Sequence, residues 1–234
     1  MKVEIYSDIA CPWCHVGKNR FERALAAFPG AEGVEVVYRP FQLDPGAPEK
    51  PLPHREVLAE KYGPQSVAMD DRITAIGEAE GLTFDFDTVV ENNSLLAHRL
   101  LRFVLGAYGP AAQARLKGRL LEAHFGEGLD IGDAGQLADA AVAVGLEREP
   151  VAAFLGGDDL RDEVLAEIDE GRRRGVTAVP TFVFEGQWAV QGGQDTETFL
   201  RVLEQVAEAT GAAAPEAGES CADGACEVPA TGRG

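Results

Sequence analysis

The sequence predicts an α/β fold in which a βαβ unit and a ββα unit are separated by an all-helical insertion. Three observations carry that expectation. Extended β-branched and aromatic runs fall only near the start of the chain and again past residue 175, while almost everything between His54 and Arg174 has helical spacing. A chain of 234 residues with 45% hydrophobic content is long enough for one core carrying a sizeable inserted subdomain.

The elements follow in order. Val3 to Tyr6 alternates like a strand, and a helical pattern runs from about Val16 to Phe28, with Phe21, Leu25 and Phe28 on one face, until Pro29-Gly30 stops it. A second extended run, Val34 to Tyr38, continues through Arg39-Pro40-Phe41-Gln42-Leu43 into a proline-rich loop from Pro45 to Pro53, which completes a first half over residues 1–50. Helical spacing then covers Val57 to Tyr62, Val67 to Glu80, Ser94 to Ala107, Ala111 to Phe125, Ala134 to Val144 and Leu160 to Arg173, inside an insertion over 51–174. Thr181 to Phe184, a turn at Glu185-Gly186, Trp188 to Val190 and a helix from about Thr196 to Thr210 form the second half, 175–211. Residues 212–234 turn to Ala, Gly, Pro, Glu and Ser, too little apolar surface to offset ordering entropy, and are expected to form a mobile acidic tail. This layout is that of a thioredoxin fold with a helical domain between its halves.

A net charge of −18, from 21 basic and 39 acidic side chains, repels phosphate backbones and anionic membranes, so neither nucleic acid nor membrane is expected as a partner. Residues 1–10 lack the apolar run of a secretory signal, and Arg, Glu or Gly interrupts every candidate membrane span. The expected location is the cytoplasm. Four cysteines in two close pairs, Cys11/Cys14 and Cys221/Cys226, point to redox or metal chemistry rather than a structural disulfide framework.

In a Cys-x-x-Cys at the start of a helix, the first sulfur lies over free backbone N–H groups and the positive dipole end, which favour thiolate. Cys11 is therefore the expected nucleophile, and Cys14, one turn on and deeper, the thiol that resolves a mixed disulfide. Pro12 is tolerated in the first turn, Trp13 can shield the pair and touch substrate, and His15 could add positive charge nearby. The same spacing also supplies half of many zinc sites, so context decides. That context is Gly175-Val176-Thr177-Ala178-Val179-Pro180-Thr181-Phe182, a loop entering a strand, where Pro180 is expected to follow a cis bond and Val179 to offer backbone to an extended substrate.

Together, Cys-Pro-Trp-Cys-His-Val-Gly-Lys and Gly-Val-Thr-Ala-Val-Pro-Thr-Phe resemble the DsbA family of thiol oxidoreductases, and most closely its cytoplasmic FrnE-like branch, over roughly residues 1–210. Arg39-Pro40-Phe41-Gln42-Leu43, Asn92 to Arg99 and Gly192-Gly193-Gln194 are similar to that branch as well, though more loosely. The resemblance implies a thioredoxin fold with a helical insertion, no metal or organic cofactor, and protein or small-molecule thiols and disulfides as partners, with glutathione as a conceivable co-substrate. Related 2-hydroxychromene-2-carboxylate isomerases and kappa-class glutathione transferases carry serine where this chain has Cys11, so a glutathione-dependent isomerase or transferase is the second reading. A chaperone whose helical block binds unfolded clients is the third. Oligomeric state stays open, a homodimer included.

The spacing of Cys221-Ala-Asp-Gly-Ala-Cys226 lets the sulfurs close a small loop, as in some FrnE-like tails, and makes it a candidate second redox pair. A neutral solvated pair or an adventitious metal site explains it as well, and zinc shared by all four cysteines is the weakest option. His54, His98 and His124 do not recur at ligand or triad spacing. Asp8 can influence the thiolate or simply cap a helix, Asp44, Asn92 and Ser94 read as polar loop or cap residues, and Arg172-Arg173-Arg174 as a solvated helix end.

Overall fold

The structure, a computed structural model, describes residues 1–211. Cys221, Cys226 and the rest of the expected tail lie outside the described residues. Strand β1 (Lys2–Ser7) leads into helix α1 (Pro12–Ala27) and strand β2 (Glu35–Pro40). The insertion holds β3 (Leu52–Pro53), α2 (His54–Tyr62), α3 (Gln65–Ala79), β4 (Val90–Glu91), α4 (Leu95–Glu127), α5 (Ala134–Ala143), α6 (Arg148–Leu155) and α7 (Arg161–Arg173). Strands β5 (Thr181–Phe184) and β6 (Trp188–Gln191) and helix α8 (Thr196–Thr210) complete the fold.

The main sheet has the order β2-β1-β5-β6. β1 runs parallel to β2, in register Ile5 to Tyr38, and antiparallel to β5, Ile5 to Phe182, while β6 is antiparallel to β5. Alternation along β1 sends Val3 and Ile5 to the face covered by α1 and α8, where Phe21, Phe182 and Phe199 pack with ring centroids 4.5–5.5 Å apart. Tyr6 points to the opposite face, against α7, so closely that a Cβ at Gly171 would lie 2.8 Å from its ring.

Two details of the insertion depart from the expectation. It is not wholly helical, because Leu52–Pro53 pairs antiparallel with Val90–Glu91. It also holds α6, whose first turn contains Pro150; proline is tolerated there because the N–H it lacks has no intrahelical partner. The two runs expected at Ser94–Ala107 and Ala111–Phe125 are the arms of α4, which kinks where Gly109 takes φ 82° ahead of Pro110.

The insertion is joined to the α/β half by apolar and polar contacts. Ile9 and Val16 belong to the same core as Leu100, Leu116, Leu120 and Phe125 of α4. Across the edge of the main sheet, Gln113 accepts from the Tyr38 N–H and donates to the Tyr38 carbonyl, both at 2.9 Å. An α4 side chain thus supplies the partners that a further strand would have given β2.

Candidate active site

Cys11 is the N-cap of α1, in extended conformation, with Pro12 in the first turn, so the dithiol stands at the helix N-terminus. The Cys14 N–H donates to the Cys11 carbonyl at 2.9 Å, and the Cys11 Sγ donates to the carbonyl of Val179 at 3.6 Å. The Val179–Pro180 peptide is cis. Two glycines seat this loop on α1: a Cβ at Gly17 would come 2.9 Å from Pro180 Cγ, and the Gly193 backbone lies against Gly17. The Gly192 N–H donates to the Pro180 carbonyl at 2.7 Å and closes the loop onto the end of β6.

Both sulfurs are buried, but only Cys11 lines the neighbouring cleft of about 460 Å³, with Pro12, Trp13, Leu43, Met69 and Phe86. Trp13 is 37% exposed at its rim, and Leu43, Tyr62 and Met69 are exposed there too. Asp44, Asn92 and Ser94 line the cleft as well; Asp44 pairs with Lys61 at 3.1 Å, and Asn92 donates to Asp130 at 2.7 Å. On its far wall His54 lies between Glu91, at 2.5 Å, and Asp70, at 3.2 Å. Burial opposes the charge on His54, yet those two hydrogen bonds raise its pKa.

The two sulfurs influence each other's protonation. The Cys11 thiol is pushed up first by its hydrogen bond to Cys14 and then by burial. Burial also opposes a Cys14 thiolate, but the bond from Cys11, the Lys117 ammonium and the Ser7 hydroxyl outweigh it and draw Cys14 down. The two shifts run in opposite directions, up on Cys11 and down on Cys14.

Behind the pair, Asp8 is buried and accepts from the Leu43 N–H at 2.8 Å, with His98 of α4 3.1 Å away. Burial works against the Asp8 carboxylate, but the His98 contact and the Leu43 N–H outweigh it and hold the carboxyl below its ordinary range. His15 differs from the expectation of a positive charge beside the sulfurs. Its ring packs against Phe84 and Phe125, at 5.6 and 6.2 Å, and burial lowers its pKa to about 4, so it stays neutral in the apolar core. Arg172 reaches the Gln42 carbonyl at 3.1 Å, while Arg173 and Arg174 pair with Glu170.

Lys117, fully buried beside Ser7 and Gln113, and His98 are the residues that sequence reasoning passed over. A signal was present: Gln113, Lys117 and His124 recur at the spacing of Leu116, Leu120 and Leu121 on α4, and polar residues at core positions ask for a reason. Among the described residues, no cluster of His, Cys, Asp or Glu is arranged to hold a metal ion, and no helix is long and apolar enough to cross a membrane.

A four-stranded mixed sheet, a dithiol at the start of its first helix and a proline loop facing it define a thioredoxin-fold protein with a helical insertion. Residues 2–204 match the model of the DSBA-like thioredoxin domain, and the chain belongs to that family. It is 38% identical to a probable DsbA oxidoreductase from Streptomyces coelicolor, with TM-score 0.81 over 98% of this chain and 100% of that one. The cytosolic disulfide reductase DsbM from Pseudomonas aeruginosa shares the fold at 18% identity and TM-score 0.63, covering 89% of this chain and 100% of DsbM. YwbO of Bacillus subtilis, an uncharacterized protein, is 28% identical over 205 residues, 86% of this chain and 94% of YwbO.

Proposed function

We propose that the chain is a thiol-disulfide oxidoreductase in which Cys11 attacks a substrate disulfide and Cys14 resolves the mixed disulfide. The observation that carries this reading is that Cys11 faces the open cleft beside the Val179–Pro180 loop while Cys14 lies behind it. As substrate arrives, the proton of the pair moves from Cys11 to Cys14 and leaves Cys11 as the attacking thiolate. Its electron pair forms a bond to one substrate sulfur and expels the other. Cys14, once deprotonated, attacks the Cys11 sulfur, closes the Cys11–Cys14 disulfide and releases the second substrate thiolate.

Protein and small-molecule disulfides are the proposed substrates. A cleft of about 460 Å³ has room for a small thiol, glutathione included as a co-substrate. Trp13 and Pro12 form its near wall and Val179 the docking backbone. Cysteine at position 11, instead of the serine of the related glutathione-dependent isomerases, favours redox turnover over isomerisation.

The test is reduction of insulin disulfides with dithiothreitol as electron source. Cys11→Ser is expected to lose turnover, and replacement of both Cys221 and Cys226 by Ser to leave it intact if the second pair is dispensable. Glutathione binding by a wild type that reduces no disulfide would replace this reading with the isomerase or transferase one.

A further inference from the structure

Helix α2 stands at the dithiol cleft with almost no core of its own. His54, its first residue, is the one it buries, while Val57, Leu58, Lys61 and Tyr62 line the cleft. The His54 side chain is therefore what ties α2 down. Its ring stacks on Phe86 with centroids 4.8 Å apart, Nδ1 lies 2.5 Å from Glu91 of β4, and Nε2 lies 3.2 Å from Asp70 of α3. Its backbone N–H donates to the Val89 carbonyl at 3.0 Å. One side chain thus joins α2, α3 and β4, the three segments that build the far wall of the cleft. Ionised carboxylates accept and do not donate, so both contacts are hydrogen bonds only when both ring nitrogens carry a proton. A neutral ring would set a lone pair against one carboxylate and lose that contact.

We propose that α2 is a flap pinned by the His54 imidazolium, and that His54 is a positioning residue holding Val57, Leu58 and Tyr62 where a docked disulfide substrate meets them. This deepens the oxidoreductase reading given above and rests on it. The pin acts on substrate docking and leaves the exchange between the sulfurs alone.

The surroundings make the pin sensitive to pH. Burial opposes the charge on His54, but the bonds to Glu91 and Asp70 outweigh it and raise its pKa above 6.5. The pin is therefore complete below 6.5 and is lost as pH rises through the raised value. Arg55 of α2 lies 3.5 Å from the second Asp70 oxygen and also pairs with Asp87, ahead of β4. Lys61 of α2 pairs with Asp44, which raises its pKa, and Arg72 of α3 lines the same cleft. His124 of α4, on the other side of Phe86 and Phe125, is kept neutral by burial. Of these groups His54 alone changes charge as pH rises from 6.5 to 9.

The experiment follows hydrogen exchange of the α2 and α8 amides in the reduced full-length wild type from pH 6 to 9, corrected for the intrinsic rate, beside the ring titration of His54 by nuclear magnetic resonance. Protection of α2 is expected to fall about 10-fold as His54 titrates, while that of α8 stays level. His54→Phe keeps a ring on Phe86 and removes both hydrogen bonds. Its α2 amides should exchange about 10-fold faster at pH 6 and show no step with pH. In insulin reduction its KM should rise about 10-fold, with kcat within about 2-fold of wild type and the ultraviolet thiolate titration unmoved. Protection of α2 that ignores the His54 titration in wild type would overturn the pin, whether or not the variant folds. A folded His54→Phe with unchanged KM, or with kcat lowered instead, would overturn its part in docking while the dithiol reading stands. If wild type reduces no insulin disulfide, or Cys11→Ser reduces it equally fast, the dithiol reading falls and the docking role with it.

Discussion

Helices α8 and α4 are built on different terms. On α8 every buried residue is apolar: Phe199, Leu203, Val206 and Ala207, at regular spacing. On α4 the buried set includes His98, Arg99, Gln113, Lys117 and His124 among its leucines. α8 covers one face of the sheet, whereas α4 covers the sheet edge, reaches Asp8 through His98 and fills the core of the insertion. The α/β half therefore supplies the cysteines and the loop that faces them, and the insertion supplies buried polar groups that meet it, His98 at Asp8 and Gln113 at Tyr38. A helix that only packs can be all apolar, but one that also substitutes for a strand has to bury polar atoms that pair with its edge.

The largest stability loss is expected on the apolar side. Phe199→Ala removes a fully buried ring packed on Phe21 and Phe182 and should cost about 4 kcal/mol in urea unfolding. The thiolate titration should be unmoved, because α8 holds no group near the pair. A shift in that titration would break the division of labour between the two helices.

His15 sharpens the comparison, since it is the polar residue of α1 placed in the insertion's core. Its folded pKa is about 4 against an ordinary value of 6.5. Below 6.5 the unfolded chain takes up a proton that the folded chain refuses, so stability is full above that pH and falls as pH drops toward 4. The loss reaches about 3 kcal/mol at pH 4. His15→Leu should remove that part of the acid limb, read as the difference between unfolding free energies at neutral and acid pH. An acid limb identical to wild type would mean that His15 is already charged in the fold.

What could be read from the sequence follows the same division. The four strands of the main sheet, α1 and α8 are visible because their apolar periods are uninterrupted, and the dithiol and the Val179-Pro180 loop because their spacing is itself the chemistry, whereas the two-residue strands β3 and β4 are too short to show a period. The arms of α4 are also visible, but not what it carries. A lysine in a helix reads as a solvated face; its spacing with the α4 leucines points inward, but only the fold shows that Lys117 is fully buried, or that Asp8 and His98, 90 residues apart, meet at 3.1 Å. His15 misled for the opposite reason: adjacency to Cys14 in sequence suggested shared charge, yet the next position on a helix turns about 100° away.

Gln113→Leu tests the polar seam of α4. Leucine keeps the volume but strips the Tyr38 N–H and carbonyl of both partners, and two buried backbone groups left unsatisfied should cost about 2–3 kcal/mol. Gln113→Glu keeps the acceptor for the Tyr38 N–H and should lose less than Leu at low pH, where the acid is neutral. Hydrogen exchange at the Tyr38 amide reports the same contact directly: faster exchange in Gln113→Leu confined to β2 supports the side chain as a substitute strand, and unchanged exchange refutes it.

The smallest effect on stability is expected at Lys117, where its sign is informative. The Lys117 ammonium has no hydrogen-bond partner among the described residues, so replacing it with methionine removes a buried polar group and keeps the volume. Stability should stay level or rise by about 1–2 kcal/mol, measured by urea unfolding of the disulfide form. A lysine kept for the packing of its methylenes would instead cost stability on substitution, so the sign of the change separates a scaffold residue from one whose buried ammonium is itself unfavourable.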